Sequence, residues 1–406
     1  MDEALRILFL APRLPLPADT GGKIRTLNIL KQAARQARVH LVCFSFEKDD
    51  AGRSQELKER GIDVTLVPMR GRSVLEKVFH VAVNPAPFSI AKYRSSRMAA
   101  VLSTLVHSQR FDLVHIDHLH MTHYIQCFDH IPCVVDEHNV EYKILERCLD
   151  VEKFVLKQRL FKAQAGKMKK FEARQIRQCS AYFAVSEDDK NILGELCDNR
   201  TPGYVVPNGV DTEYFKPSAN SHQLSAQSEQ AIVFTGSMDW LPNEDAAAYF
   251  CQEILPLIWQ KAPDTRFYIV GKSPSGRLTQ LAKGEERIIL TGRVDDVRPY
   301  VQRSSVFVVP LRIGGGTRLK ILEAMSMRMP VVSTSIGAEG ISYTDGRNIA
   351  IADAPQAFAD KVLELFEDQR KQKSLGDEGR KLVMEQYDWE IVGREMARVY
   401  EEIIKR

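Results

Sequence analysis

The chain has 406 residues, 44% hydrophobic and 27% charged, with a formal net charge of +3. That length exceeds one ordinary domain and suits two or three, with enough apolar content for a large buried core. The small net charge excludes bulk electrostatic attraction to nucleic acid.

The seven cysteines are odd in number and scattered, with no C-x-x-C pair. A disulfide framework and a zinc ribbon are therefore not indicated, and reduced thiols in a reducing compartment are expected. The start carries Asp2 and Glu3 where a signal peptide needs bases. No run approaches the roughly 20 apolar residues that cross a bilayer. A cytoplasmic protein is expected, with peripheral membrane contact as an open possibility.

Short apolar runs at 5–10, 39–44, 62–67, 111–116, 132–136 and 181–185 read as buried strands, separated by helical patterns such as 23–37 and 89–108. Continuous rather than alternating apolar strands predict a parallel sheet covered on both faces. Prolines 202, 207 and 217 and the polar run 218–230 mark a boundary. Strands then restart at 231–235, 266–270, 287–290, 305–309 and 330–333, with helices at 243–260, 299–303, 317–327 and 355–366. The expected organisation is α/β: a Rossmann-like domain over 1–202, a linker over 203–230 and a second Rossmann-like domain over 231–386. A C-terminal helix over 387–406 is expected to return to the first domain. Two such doubly wound domains facing one another predict a cleft, lined by loops at the carboxyl ends of strands.

Those loops carry the candidate residues. The first ends in Thr20-Gly21-Gly22 before a helix. It lacks G-x-G-x-x-G, which argues against dinucleotide binding, but a glycine pair at a helix start allows close approach to phosphate or sugar. Lys23 and Arg25 either assist there or are surface charges. His115, Asp117, His118, His120 and His123 resemble a metal cluster, yet His115 lies in a strand and no H-E-x-x-H spacing occurs, so no metal is expected. Asp136-Glu137-His138 follows a strand, and His138 can donate or accept at neutral pH, with His118 as second choice. Residues 152–180 are strongly basic with interleaved Phe and Leu, which suits a solvated helix or one resting on an anionic membrane.

In the second half, Gly314-Gly315-Gly316-Thr317-Arg318 leads into a helix carrying Lys320 and Glu323. Glycines and a helix N-terminus suit a diphosphate, and Lys320 adds a cation. The spacing places Thr317, Lys320 and Glu323 on one face. A carboxylate at Glu323 cannot hold phosphate, but it accepts two hydrogen bonds from a ribose diol.

Taken with Pro15–Gly22, Val185-Ser186-Glu187, Val206-Pro207-Asn208-Gly209-Val210-Asp211, Leu290-Thr291-Gly292-Arg293-Val294 and Leu322-Glu323-Ala324-Met325, the sequence resembles the retaining glycosyltransferases of family 4, of the two-domain GT-B fold. The resemblance implies that Glu323 holds the donor ribose and that Gly292 and Val294 lie by the nucleotide base. It places Gly21 and Gly22 beside the donor diphosphate, with Gly22 and His138 at the reacting centre. Gly236, Gly315, Gly316, Thr317, Arg318 and Lys320 complete the expected donor site.

Two departures stand out. Gly315 occupies the position of the first acid of the family's E-x7-E motif, and Gly236–Asn243 lacks the cations many members carry. Arg318 and Lys320 are expected to supply that charge.

The activity implied is sugar transfer, with retention, from a nucleotide sugar to a saccharide or lipid-linked acceptor in bacterial exopolysaccharide or cell-surface glycan synthesis. No tightly bound cofactor and no metal are implied. The alternatives are a non-catalytic sugar-nucleotide-binding subunit of a polysaccharide-assembly complex, or a sugar-nucleotide epimerase on the same fold.

Overall fold

A computed structural model describes residues 5–69, 87–128, 130–151, 154–217, 230–314 and 317–406. The chain divides into two compact units, Met1–Pro207 with Val392–Arg406, and Asn208–Ile391.

The first unit is built on seven parallel strands: β1 (Arg6–Ala11), β2 (Arg38–Ser45), β3 (Asp63–Pro68), β4 (Leu113–Asp117), β5 (Cys133–Glu137), β6 (Ala181–Ala184) and β7 (Gly203–Val205). Their spatial order is β3-β2-β1-β4-β5-β6-β7. Strands β4, β5 and β6 are buried along their whole length, as expected where helices cover both faces. The order reverses between β1 and β4, so the loops after these two strands diverge and leave room for a ligand.

The second unit repeats the plan with β8 (Ala231–Thr235), β9 (Arg266–Val270), β10 (Ile288–Gly292), β11 (Val306–Val309), β12 (Val331–Ser333) and β13 (Ala350–Ile351). Here the order is β10-β9-β8-β11-β12-β13, and the reversal falls between β8 and β11. Phe234, Phe250, Phe267, Phe307 and Phe358 are almost wholly buried in its core. Each such side chain contributes roughly 1.5–3 kcal/mol of burial.

Three departures from the sequence reading have local causes. Strand β7 lies inside the stretch read as linker; three residues between prolines carry no periodic signal. The single helix expected over 89–108 is broken into Phe88–Ala91 and Ser96–Ser108, where the Ser95 side chain caps the second piece by accepting from the Met98 N–H. The helix expected over 243–260 runs as Leu241–Tyr249, a π-turn at Phe250–Ile254 and Leu255–Trp259. Pro256 accounts for this: it has no N–H, and its ring clashes with the carbonyl one turn back, which a wider turn relieves.

The last helix, Trp389–Lys405, changes units along its length, since Val392–Arg406 groups with the first. Gly209 leaves room for the Trp389 ring in the second unit, and Gly393 leaves room for Gln32 in the first. Among the described residues no helix is long and apolar enough to cross a membrane.

Candidate active site

In the first unit the site is organised around two buried carboxylates at the carboxyl ends of neighbouring strands, Asp117 on β4 and Asp136 on β5, which are register partners. Parallel pairing puts both side chains on one face, so their charges repel unless donors and cations surround them. Consecutive residues of the helix Gly21–Ala34 provide these. Arg25 grips Asp136 through two bonds, Nε to Oδ2 at 3.0 Å and Nη2 to Oδ1 at 2.6 Å. The Thr26 hydroxyl donates to Asp117 Oδ2 at 2.9 Å.

Two histidines complete the cluster. His118 Nδ1 donates to Asp117 Oδ2 at 2.7 Å, and His138 Nε2 donates to Asp117 Oδ1 at 2.9 Å. Their rings lie 3.5 Å apart between centroids. His118 adopts a left-handed backbone (φ 71°) that turns its ring out of the strand direction. Its Nε2 lies 3.5 Å from where a side chain at Gly22 would begin, so Gly22 keeps that space open.

The environment separates the two imidazoles. Burial lowers the proton affinity of His118, but the Asp117 carboxylate outweighs it and the net shift is upward. Burial, together with the charge of His118, pushes His138 down. Burial works against ionisation of Asp117, yet the two histidines hold its carboxyl well below the usual range. The environment therefore favours a proton on His118 over one on His138.

The two candidate histidines differ in exposure. His138 is only 7% exposed and its Nε2 is committed to Asp117. The His118 side chain is 20% exposed and faces Gly22, so it is the more accessible of the two. Arg25 is no surface cation: at 1% exposure it points inward and cannot reach a donor phosphate. Lys23 is half-buried and pairs with Asp19 at 3.1 Å.

Asp136 is fully buried and held by Arg25, which removes it as a nucleophile. Burial and the nearby Glu172 raise the Glu137 carboxyl well above its ordinary range, and neither of its oxygens is hydrogen-bonded. Asp117, His118 and His138 bring ligand-type atoms within 4.8 Å of one another, as do His115, Asp117 and Asp136. The Asp117 oxygens already accept three hydrogen bonds, and Arg25 places a positive charge beside the set, so these donors suit a hydrogen-bonded cluster better than a metal. His120 and His123 belong to the 3-10 segment Leu119–Cys127, and burial keeps both neutral.

In the second unit the loop after β8 and the helix Leu319–Ser326 after β11 come together at the strand-order reversal. Lys320 Nζ donates to Asn243 Oδ1 at 2.8 Å and sits 4.1 Å above the Phe234 ring. Asn243 Nδ2 in turn donates to the Ser237 carbonyl at 3.0 Å, tying the loop to the helix. A side chain at Gly236 would lie 2.9 Å from the Lys320 ammonium. Lys320 thus brings a cation to a loop that has none of its own. Gly271 is equally constrained, because an added Cβ would lie 1.7 Å from the Gly236 carbonyl oxygen.

Burial, helped by the charge of Arg318, pushes the Lys320 ammonium down to about 7. Burial also pushes the Glu323 carboxyl up to about 7, with Lys320 opposing. Both side chains keep partial exposure, and Glu323 has no hydrogen bond to another described residue. A cation and an uncommitted carboxylate one turn apart are therefore presented together.

The helix begins two residues later than expected, and this changes the role of Thr317. Its hydroxyl donates to the Gly340 carbonyl at 3.2 Å, and its carbonyl accepts from Asn208 Nδ2 at 3.3 Å, so it braces the loop from beneath. It does not share an open face with Lys320 and Glu323. The Arg318 guanidinium folds over Gly314, where an added Cβ would lie 2.3 Å from Nη2. Gly292 has positive φ (67°) and open space beside it, and Val294 is half-buried against the core. Gly315 and Gly316 lie outside the described residues.

Comparisons with known proteins agree with this architecture. The model for glycosyltransferase family 4 matches residues 19–214, and that for glycosyl transferases group 1 matches residues 229–368. Sucrose-phosphate synthase from Thermosynechococcus elongatus superposes with a TM-score of 0.72 at 15% identity, covering 99% of both chains. HepE of Anabaena, solved with UDP and glucose, superposes with a TM-score of 0.69 at 15% identity, covering 98% of this chain and all of that one.

Among curated relatives, an uncharacterized 44.6 kDa protein in the cps region of Klebsiella pneumoniae is 26% identical over 48% of this chain and 52% of its own. The chain thus spans about half the length of that relative. N-acetyl-alpha-D-glucosaminyl L-malate synthase of Bacillus anthracis is 20% identical over 86% of this chain and 92% of its own. UDP-Gal:alpha-D-GlcNAc-diphosphoundecaprenol alpha-1,3-galactosyltransferase of Escherichia coli is 30% identical over 37% of this chain and 41% of its own. The fold is of the GT-B class. The chain belongs to glycosyltransferase family 4.

Proposed function

We propose that this protein transfers a sugar from a nucleotide-sugar donor to a saccharide or lipid-linked acceptor, with retention of anomeric configuration. The observation that carries this reading is the pairing of Lys320 and Glu323 at the strand-order reversal of the second sheet. Lys320, Arg318 and the helix N-terminus serve the diphosphate, and Glu323 serves the ribose diol. In the first unit, His118 and the open space at Gly22 serve the transferred sugar.

The sugar C1–phosphate oxygen bond breaks as C1 bonds to the acceptor oxygen on the same face. The acceptor proton passes to the departing phosphate oxygen. The protein's part is to hold charge on the leaving diphosphate and to orient the sugar. The relative acting on a diphosphoundecaprenol-linked sugar and the one from a cps region support synthesis of a bacterial surface glycan. The test is consumption of a nucleotide sugar with release of nucleoside diphosphate, followed by NMR.

A lipid-linked acceptor implies contact with an anionic membrane, and the helix Val155–Ile176 supports it. Phe154, Val155, Leu156 and Leu160 are 68, 63, 81 and 45% exposed. Lys157, Arg159, Lys162, Lys169, Lys170 and Arg174 are exposed on the same helix, whereas its one acid, Glu172, is fully buried. Each surface cation contributes about 1 kcal/mol on an anionic bilayer. Co-sedimentation with phosphatidylglycerol vesicles is expected, weakened about tenfold or more in a Lys157→Gln/Arg159→Gln variant and absent with phosphatidylcholine alone. Equal binding to both lipids would contradict it.

A further inference from the structure

The first unit contains a second set of contacts beneath His118 and His138. Besides its two bonds to Asp136, Arg25 donates from Nη2 to the Val206 carbonyl at 2.8 Å and from Nη1 to the Pro207 carbonyl at 3.1 Å. These are the last two residues before the chain leaves the first unit. On the other side of Asp136, His115 Nε2 lies 3.9 Å from Oδ2, and the Tyr400 hydroxyl lies 2.7 Å from His115 Nδ1. Tyr400 belongs to the segment that returns to the first unit. The tautomer that turns an N–H toward Asp136 leaves Nδ1 bare to accept the Tyr400 hydroxyl. His115 is held flat against Phe9, with ring centroids 4.3 Å apart, so it cannot swing away. His138 Nε2, at 3.6 Å from Asp136 Oδ2, completes the path to Asp117 and His118. The segment leaving the first unit is thus hydrogen-bonded to Arg25, and the helix that returns approaches Asp136 through His115 at 3.9 Å.

We infer that Arg25 is a positioning residue that, through Asp136, sets the number of protons on the His118–His138 pair and joins that pair to the segment where the chain leaves the first unit. The reasoning is charge balance. Asp117 and Asp136 carry two negative charges and are wholly shielded from bulk solvent. Arg25 supplies one positive charge, so one imidazolium suffices, and the more exposed His118 takes it while His138 stays neutral. Without Arg25 the two carboxylates would draw a second proton onto the pair. A helix cation touching no substrate would then decide which imidazole donates and which stays neutral. This role rests on the proposed transfer reaction, but the charge balance does not.

The groups acting on His118 come from every neighbouring element. Asp117 lies on its own strand, His120 in the 3-10 segment, and Asp136 and His138 at the end of β5. Glu141 lies at the start of the following helix, and Lys92 acts on both Glu141 and His120.

The test is histidine titration by ¹⁵N-edited NMR on the full chain. Arg25→Gln is expected to raise the His138 pKa by about one unit, a tenfold gain in proton affinity. Arg25→Lys should keep the parental value, because it keeps the charge. Since Arg25→Gln is at risk of misfolding, Tyr400→Phe is the second variant. It keeps the ring against Phe183 and removes only the hydroxyl. It is expected to shift the pH profile of kcat upward by about half a unit with KM for donor within twofold. A His138 pKa that stays at the parental value in folded Arg25→Gln, or a Tyr400→Phe profile superimposable on the parent, would overturn the inference. Failure of the transferase reading would instead appear as absent turnover with the titration shift intact.

Discussion

Glu323→Gln is expected to weaken nucleotide-sugar binding about 100-fold, while the unliganded protein stays at least as heat-stable as its parent. The loss follows from two charge-assisted hydrogen bonds to a ribose diol, each contributing roughly 1.5–3 kcal/mol before the cost of removing the carboxylate from water is subtracted. The stability follows from linkage. The Glu323 carboxyl is pushed up to about 7, above its unfolded value. A raised carboxyl contributes stability below its unfolded pKa, and that contribution is lost as pH rises through about 7. At pH 8 the ionised group therefore weighs against the empty fold, and glutamine removes the charge.

Lys320, pushed down to about 7, adds the opposite requirement for its protonated form. Donor affinity should therefore peak near neutrality and fall on both sides, with apparent values that belong to the pair. Calorimetric titration with UDP and with candidate nucleotide sugars, alongside melting curves at pH 8, checks both halves. An unchanged dissociation constant in Glu323→Gln would remove the ribose role.

His118→Ala is expected to lower kcat by about a thousandfold with donor binding unchanged within about threefold, the range of a positioned acid–base or hydrogen-bonding group. Donor binding should survive because Lys320 and Glu323 belong to the other unit. The Asp117 carboxylate lifts the His118 pKa above its ordinary value. Activity that needs the imidazolium should accordingly persist above pH 6.5 and disappear on the alkaline side. The same raised value makes the contribution of His118 to stability present at low pH and lost as pH rises through it. His138→Ala should differ in kind. It opens a space beneath His118 and leaves Asp117 short of a donor, so lower thermal stability should accompany its loss of turnover. Steady-state kinetics over pH 5–9 with melting temperatures separates the two. A His118→Ala enzyme with parental kcat would remove the assignment.

Much of the fold was legible because parallel strands buried on both faces read as continuous apolar runs. The stretches 231–235 and 266–270 match β8 and β9 end to end. Strands β7 and β13 were not legible, since three and two residues are too few for a pattern. Lys320 and Glu323 were legible as a cation and carboxylate one turn apart. That Thr317 lies outside the helix was not, because contacts with Asn208 and Gly340, distant in sequence, decide it.

Arg25 is the instructive miss. Its charge suggested either a contact to phosphate or sugar or a surface position, yet it lies four and eight residues before the buried Ile29 and Ala33. Helical spacing places it on the inward stripe, and a cation in that register needs a buried acid. Sequence reasoning set His138 before His118, and the difference in their exposure was not legible there. His118 takes its left-handed backbone at the turn between β4 and the 3-10 segment, a conformation that residue type alone does not reveal, whereas His138 lies between β5 and the helix that begins at Glu141.

The most direct test of sugar transfer is ¹H NMR of the purified protein incubated with a panel of nucleotide sugars, with and without saccharide acceptors. The anomeric signal of one donor should disappear as nucleoside diphosphate accumulates, and a new anomeric signal of the donor's own configuration should grow in. Glu323→Gln and His118→Ala should each suppress this conversion. A panel in which every donor remains intact while the protein binds one of them would contradict the account and leave a non-catalytic sugar-nucleotide-binding protein.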